Sequence, residues 1–313
     1  MNATIRIPIA GCAWLATAAL TLSLCAPSLL AQVESFDDGN DANWTRIDPL
    51  AGVGAGGTGT WSFPNGAYRI QAAASQAPGT VGPGRAGSML TDVTLSRFYA
   101  AVDIVAWDNS LDQIFGLLAR LRNVGLGTTE GYGFTYATRT GRAASGQLEI
   151  FRVTNEAGSD LTGATLNFTL QPGASYRLVF AGDGASFTGT VFSVTNLAAP
   201  LATVRGTDSS YAVGGVGLFT YDNSPAKNHS ADVTFDNFLA APAAPPRLII
   251  TANYLGEAAV SWPVEAAGYV LQASPNLANG SWSDITTGIA QSEGQFIYLP
   301  TFEDQRFFRL RWP

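Results

Sequence analysis

The chain has 313 residues, a net charge of −7, 46% hydrophobic residues and only 13% charged ones. It holds one lysine, Lys227, one histidine, His229, and two cysteines, Cys12 and Cys25. A lone imidazole excludes a multi-histidine zinc site, and scattered arginines in an acidic chain offer no basic stripe for a phosphate backbone, so nucleic acid is not an expected partner.

Residues 1–31 read as a secretory signal: Arg6 before an apolar run from Ile9 to Cys25, then Pro27 and a Leu29-x-Ala31 cleavage pattern. Cleavage there removes both cysteines and leaves neither a disulfide nor a thiolate ligand. It also leaves no membrane span, and the chain is expected to be secreted or held at the cell surface. Two other readings of this segment stay open. Ile9-Ala10-Gly11-Cys12 fits a lipoprotein box, although the apolar run follows it. The run itself falls just short of the roughly 18 residues of a bilayer anchor.

From residue 32 onward, short alternating runs rich in Val, Thr, Phe and Tyr are separated by Gly, Asn, Asp and Pro. The spacing predicts strands at Tyr68 to Ala72, Phe98 to Ala106, Gln113 to Arg122, Gly131 to Ala137 and Gln147 to Thr154. Further strands are expected at Ser175 to Ala181, Thr188 to Thr195, Gly215 to Tyr221 and Asp232 to Leu239. Outside the signal no window carries a 3.6-residue period, so the fold class is all-β, with two stacked antiparallel sheets over residues 32–240. Gly52 to Gly59 is glycine-rich without a following helix or a lysine, which makes it a loop and not a phosphate cradle. Residues 241–246, closing in Pro245-Pro246, form a linker, because proline cannot donate to a ladder. Residues 247–313 contain about six more short strands and suit a smaller immunoglobulin- or fibronectin-like β-sandwich anchored by Trp262, Tyr269, Trp282 and Phe308.

In this order the strings VESFDDGNDANW, GYGFTYATRTG, GQLEIFRVTN, ASYRLVFAGDG, FTGTVF, GGVGLFTYDNS and ADVTFDNFLA resemble the concanavalin A-like lectin/glucanase superfamily, the laminin-G-like jelly rolls. The resemblance covers residues 33 to 240 and implies a jelly-roll sandwich whose first and last strands are neighbours. Residues 247–313, with VSWPVEAAGYVLQASPNL and FFRLR, are similar to a short C-terminal module of secreted bacterial proteins. The superfamily includes hydrolases, lyases and sugar binders, so the residues must decide among them.

A retaining glucanase needs two carboxyl groups about 5–5.5 Å apart, which its members place on an E-x-D-x-x-E strand that is missing here. The nearest acidic pairs are Glu149 with Glu156, expected on opposite strand faces, and Asp232 with Asp236, expected on one face. A lyase-like Tyr and Arg set could come from Tyr132, Tyr136, Arg120 and Arg122, but the histidine sits in a loop. Sugar binding asks only for rings to stack on a pyranose and polar groups to bond its hydroxyls. Candidates are Trp107, Asp108 and Asn109 after a strand, Arg120, Tyr132 and Tyr136 on neighbouring strands, and Tyr221, Asp222 and Asn223 at a strand end. No cofactor is required. Structural calcium is the one with a case, from Asp37, Asp38 and Asp41 approaching Asp236 if the terminal strands are neighbours. These features rank a secreted, non-catalytic carbohydrate-binding or cell-surface protein first, with a polysaccharide or glycan as partner and cell-envelope proteins as further candidates. A jelly-roll hydrolase or lyase and a structural matrix protein are the alternatives.

Overall fold

A computed structural model describes residues 31–138, 146–252, 258–263, 269–278, 281–301 and 306–311. Apart from Ala31, the expected leader, with Cys12 and Cys25, lies outside the described residues. Alternating apolar and polar residues give strands in chain order β1 (Gln32–Glu34), β2 (Trp44–Ile47), β3 (Gly59–Ser62), β4 (Tyr68–Ala72) and β5 (Arg85–Leu90). Next come β6 (Phe98–Trp107), β7 (Gln113–Arg122), β8 (Glu130–Ala137), β9 (Gln147–Thr154) and β10 (Ala157–Asn167). β11 (Tyr176–Asp183), β12 (Ser186–Ser193), β13 (Ala202–Thr207), β14 (Gly215–Asp222) and β15 (Ala231–Ala241) complete the set. Helix among the described residues is confined to short turns at Pro64–Gly66 and Pro78–Val81, and no helix is long and apolar enough to cross a membrane.

These strands make two antiparallel sheets. One has eight strands in the order β13-β12-β11-β6-β15-β4-β3, with β1 added on β15, and the other has seven in the order β10-β9-β8-β7-β14-β5-β2. The first and last strands are neighbours, with Val33 opposite Leu239, as the resemblance implied. The sheets share one core: Val102, Ile104, Leu178, Phe180 and Phe235 face Phe115, Leu117, Phe134, Ile150 and Leu218, all fully buried. Burial of each such side chain stabilises the fold by about 1.5–3 kcal/mol. The outer face of the eight-stranded sheet is cross-linked by charge. Arg177 lies opposite Asp103 and donates Nε and Nη2 to its carboxylate at 2.6 and 2.8 Å.

Beyond β15 the chain runs without a strand to Ile249. Residues 249–252, 258–263, 295–298 and 289–292 then form a four-stranded sheet, and 283–284, 270–274 and 307–311 a three-stranded one. They have a separate small core of Val260, Trp262 and Leu271, against which Tyr269 and Phe308 pack. Trp282 instead lies half-buried under the Arg309 guanidinium, 4.2 Å from the ring centroid.

Two local irregularities place side chains where simple alternation does not. β7 carries a bulge between Ala119 and Arg122, with Arg120 at φ +50°, so Ala119, Arg120 and Leu121 are all buried in succession. β10 is an edge strand of mostly exposed residues with its own register shift between Asp160 and Thr165, and its sequence shows no alternation.

Candidate functional site: a glycine-floored trough

The face of the seven-stranded sheet turned away from the core is hollow, and the register explains why. One row across it reads Asp160, Phe151, Gly133, Leu118, Gly217 and Met89; the next reads Thr165, Glu149, Thr135, Gly116, Phe219, Gly87 and Ile47. Glycines thus sit beside large side chains, and at Gly133 a ring fills the space a Cβ would take. A Cβ on Gly133 would lie 2.5 Å from Cζ of Phe151. The hollow has a cavity volume of about 330 Å³, with walls of Ile114, Leu118, Phe151, Phe219 and Tyr221. Phe219 stands 6.4 Å from Phe151 and 6.4 Å from Tyr221, ring centroid to centroid, so three tilted rings follow one another along the trough.

Four charged side chains line it: Arg85, Glu149, Glu156 and Asp160. Glu156 and Arg85 neutralise each other through two bonds, Nε to Oε1 at 2.9 Å and Nη2 to Oε2 at 2.7 Å. The remaining Arg85 donor atom, Nη1, is held by the carbonyls of Val81 and Pro83. Glu149 and Glu156 were expected on opposite faces, and here the structure corrects the sequence. β9 ends at Thr154, and Asn155 and Glu156 take φ of +51° and +63° in the turn, which brings the Glu156 side chain back to the trough. Glu149 accepts a 3.2 Å bond from Thr135 Oγ1, and among the described residues no cation pairs with it. Burial, helped by the like charge of Asp160, pushes its carboxyl up to about 7. The group is therefore poised to exchange a proton near neutral pH.

The sequence candidates divide among three places. Tyr221 and Asn223 line the trough. Trp107, Asp108 and Asp236 lie on the opposite side of the sandwich, around a second cavity of about 690 Å³ that Arg69 and Asp232 also line. There Trp107 packs partly into the core and donates Nε1–H to Asn109 at 3.3 Å, while Asp108 caps its own turn through Ser110 N and Oγ at 2.8 and 2.6 Å. Those Ser110 bonds hold the Asp108 carboxyl below its usual range. Asp232 is engaged by Arg69 and Gln71.

The third group faces inward, which corrects the expectation of binding side chains. Tyr132 is fully buried; its hydroxyl donates to Asp208 at 2.6 Å and accepts the Tyr211 amide at 3.0 Å. Burial and then the Asp208 bond push this phenol up to about 12. Tyr136 accepts the Leu170 amide at 3.2 Å from within the core. The two tyrosines do share a strand face, but it is the core face. Arg120, turned in by the bulge, donates to the carbonyls of Ser96 and Tyr211 and stacks beneath Phe187 and Phe98. Asp222 is fully buried and accepts the amides of Ser224 and His229, pinning the following loop.

The calcium candidates do not assemble a cage. Asp41 is taken by Arg46 at 2.7 and 3.1 Å and by the Tyr68 hydroxyl at 2.6 Å, while Asp38 accepts the Asn40 amide within its turn. Asp37 does approach Asp236, whose carboxyl is pushed up by burial and then by the like charges of Asp103 and Asp37. Asp103 is committed to Arg177 and Asn237. Among the described residues no group of three or more candidate metal ligands converges.

No family model and no curated protein matches the chain. Among solved structures it is similar to the carbohydrate-binding module CBM66 from Bacillus subtilis: 17% identity, 64% of this chain and 97% of that one, TM-score 0.45. It is similar to lectin II from Ulex europaeus at 11% identity, 68% and 98% coverage and TM-score 0.44. A Bacillus subtilis protein of unknown function with a galectin-like fold matches at 7% identity, 67% and 94% coverage and TM-score 0.45.

Proposed function

We propose that the chain is an exported, non-catalytic carbohydrate-binding protein that holds a glycan in the trough of its seven-stranded sheet. The observation that carries this reading is the row of three rings, Phe151 largely buried and Phe219 and Tyr221 half-buried, over a floor opened by glycines. Rings in this setting stack on the apolar face of a pyranose, and Glu149, Asp160, Asn223 and Thr129 supply bonds to its hydroxyls. The groove runs across several strands, which suits a linear polymer better than a single sugar. Residues 247–313 act in this reading as a display or spacing module. The test is a broad glycan array probed with the wild type and with Phe219→Ala. Binding to at least one glycan that the variant loses about tenfold or more supports the reading, and a blank array for the wild type overturns it.

A second reading, a polysaccharide hydrolase, is favoured by one observation. Glu149 holds its proton near neutral pH and shares a face with a second carboxyl group, Asp160, and two carboxyl groups are the requirement for acid-assisted glycoside cleavage. Release of reducing ends from mixed polysaccharides, abolished in Glu149→Gln, would establish it in place of simple binding.

A further inference from the structure

We propose that the trough selects glycans bearing a free amine, the protonated amino group of a de-N-acetylated amino sugar, over neutral and acidic ones. The inference rests on the trough being the glycan site, and it follows from which of the lining charges are compensated. Arg85 and Glu156 cancel each other, with every nitrogen of the guanidinium engaged. Among the described residues, Glu149 and Asp160 are left without a cation. Both flank one ring: Glu149 is two residues from Phe151 on the same strand face, and Asp160 lies directly opposite Phe151 on β10. The Phe219 ring stands 6.4 Å away at 57°, so the same spot is bounded by two tilted π faces.

Carboxylates and aromatic faces attract the same ligand group. An ammonium gains from the ring quadrupole and from the two negative charges, and it needs to displace no existing partner. A uronate brings a third carboxylate to this spot and is repelled. An N-acetyl group carries no charge and gains only the ring contact. Burial, and then the nearby Asp160, raise the Glu149 carboxyl, and a bound ammonium opposes both effects by favouring its ionised form. The open shape along several strands favours a saccharide chain over an isolated lysine side chain, which would occupy one point of the groove only.

The experiment is calorimetric titration of the full chain at pH 6.5 with four oligosaccharides of equal length: glucosamine, N-acetylglucosamine, glucose and galacturonate. Trilysine serves as the protein-like cation. The glucosamine oligomer should bind about tenfold or more tighter than its acetylated form, with the galacturonate oligomer weakest. In Asp160→Asn, an exposed position on an edge strand, the glucosamine-to-acetyl ratio should fall to about threefold or less. Equal affinity for the amine and acetyl forms, or a preference for galacturonate, overturns the selectivity while leaving the glycan trough intact. Trilysine binding as tightly as the glucosamine oligomer overturns it in favour of a peptide ligand. No binding of any saccharide overturns both the selectivity and the site.

Discussion

Replacing Gly133 by alanine separates the trough from the fold that carries it. The three atoms nearest the added methyl all belong to the Phe151 ring, at 2.5, 2.8 and 3.1 Å, and no backbone atom is among them. The ring can swing away, at an overpacking cost of about 1–3 kcal/mol, offset by the 0.4–1 kcal/mol that alanine typically gains over glycine through the unfolded chain. The net loss should be about 0–2.6 kcal/mol, but the ring then leaves its place in the trough, and glycan affinity should fall about tenfold. Gly217→Ala is the contrasting change on the same face. Its methyl meets the Ser88 carbonyl oxygen at 2.3 Å and the Met89 Cα at 3.1 Å, which are backbone atoms of a paired strand. Relief there requires the ladder itself to move, at about 2–4 kcal/mol. Urea unfolding of both variants, with titration of any array-positive glycan, checks the pair. A Gly133→Ala protein that loses as much stability as Gly217→Ala, or that binds glycan like the wild type, refutes the reasoning.

Other consequences follow from the same geometry. Glu149 ionises near 4.5 in the unfolded chain and near 7 in the folded one, so the folded state binds the extra proton between these values. Its contribution to stability is therefore fully present below about pH 4.5 and is lost as pH rises through 7, by at most about 3 kcal/mol. Glu149→Gln should flatten that limb of a stability-against-pH curve, and an unchanged slope contradicts the assignment. Tyr132→Phe leaves the buried Tyr211 amide without its acceptor and should cost about 1–3 kcal/mol in denaturant unfolding, with glycan affinity unaltered. A loss of binding without loss of stability would restore this tyrosine to the site. Arg177→Met strands the buried Asp103 carboxylate with Asn237 alone and should cost about 3–5 kcal/mol in denaturant unfolding.

The strands of the core were legible because their residues alternate. Gln113–Arg122 and Gln147–Thr154 are found where the pattern places them, and Tyr176, Leu178 and Phe180 point inward together. β10 was not legible, since AGSDLTGATLN is an exposed edge with a bulge and buries only Leu161 and Ala164. That omission hid the site. Without β10 there is no reason to set Asp160 opposite Phe151 or to place a second carboxyl group near Glu149. The signal was present in the turn pair Asn155-Glu156 between two runs of strand length, a hairpin junction whose non-glycine residues accept positive φ. Arg120 illustrates the opposite difficulty: a bulge is invisible to period-two counting, so an arginine read as a sugar-binding candidate became the buried clamp on two loops. Of the sugar-binding candidates, Tyr221 and Asn223 reached the trough, while Tyr132 and Tyr136 were drawn by the same alternation to its underside.

The central claim is that glycan is held on the outer face of the seven-stranded sheet. Backbone-amide shift mapping by NMR, with an array-positive oligosaccharide titrated into the isotope-labelled chain, tests it most directly. The account predicts that the largest shifts cluster on Arg85, Ile114, Glu149, Phe151, Phe219 and Tyr221. Shifts concentrated instead on Trp107, Asp108 and Asp236, on the far side of the sandwich, would contradict it.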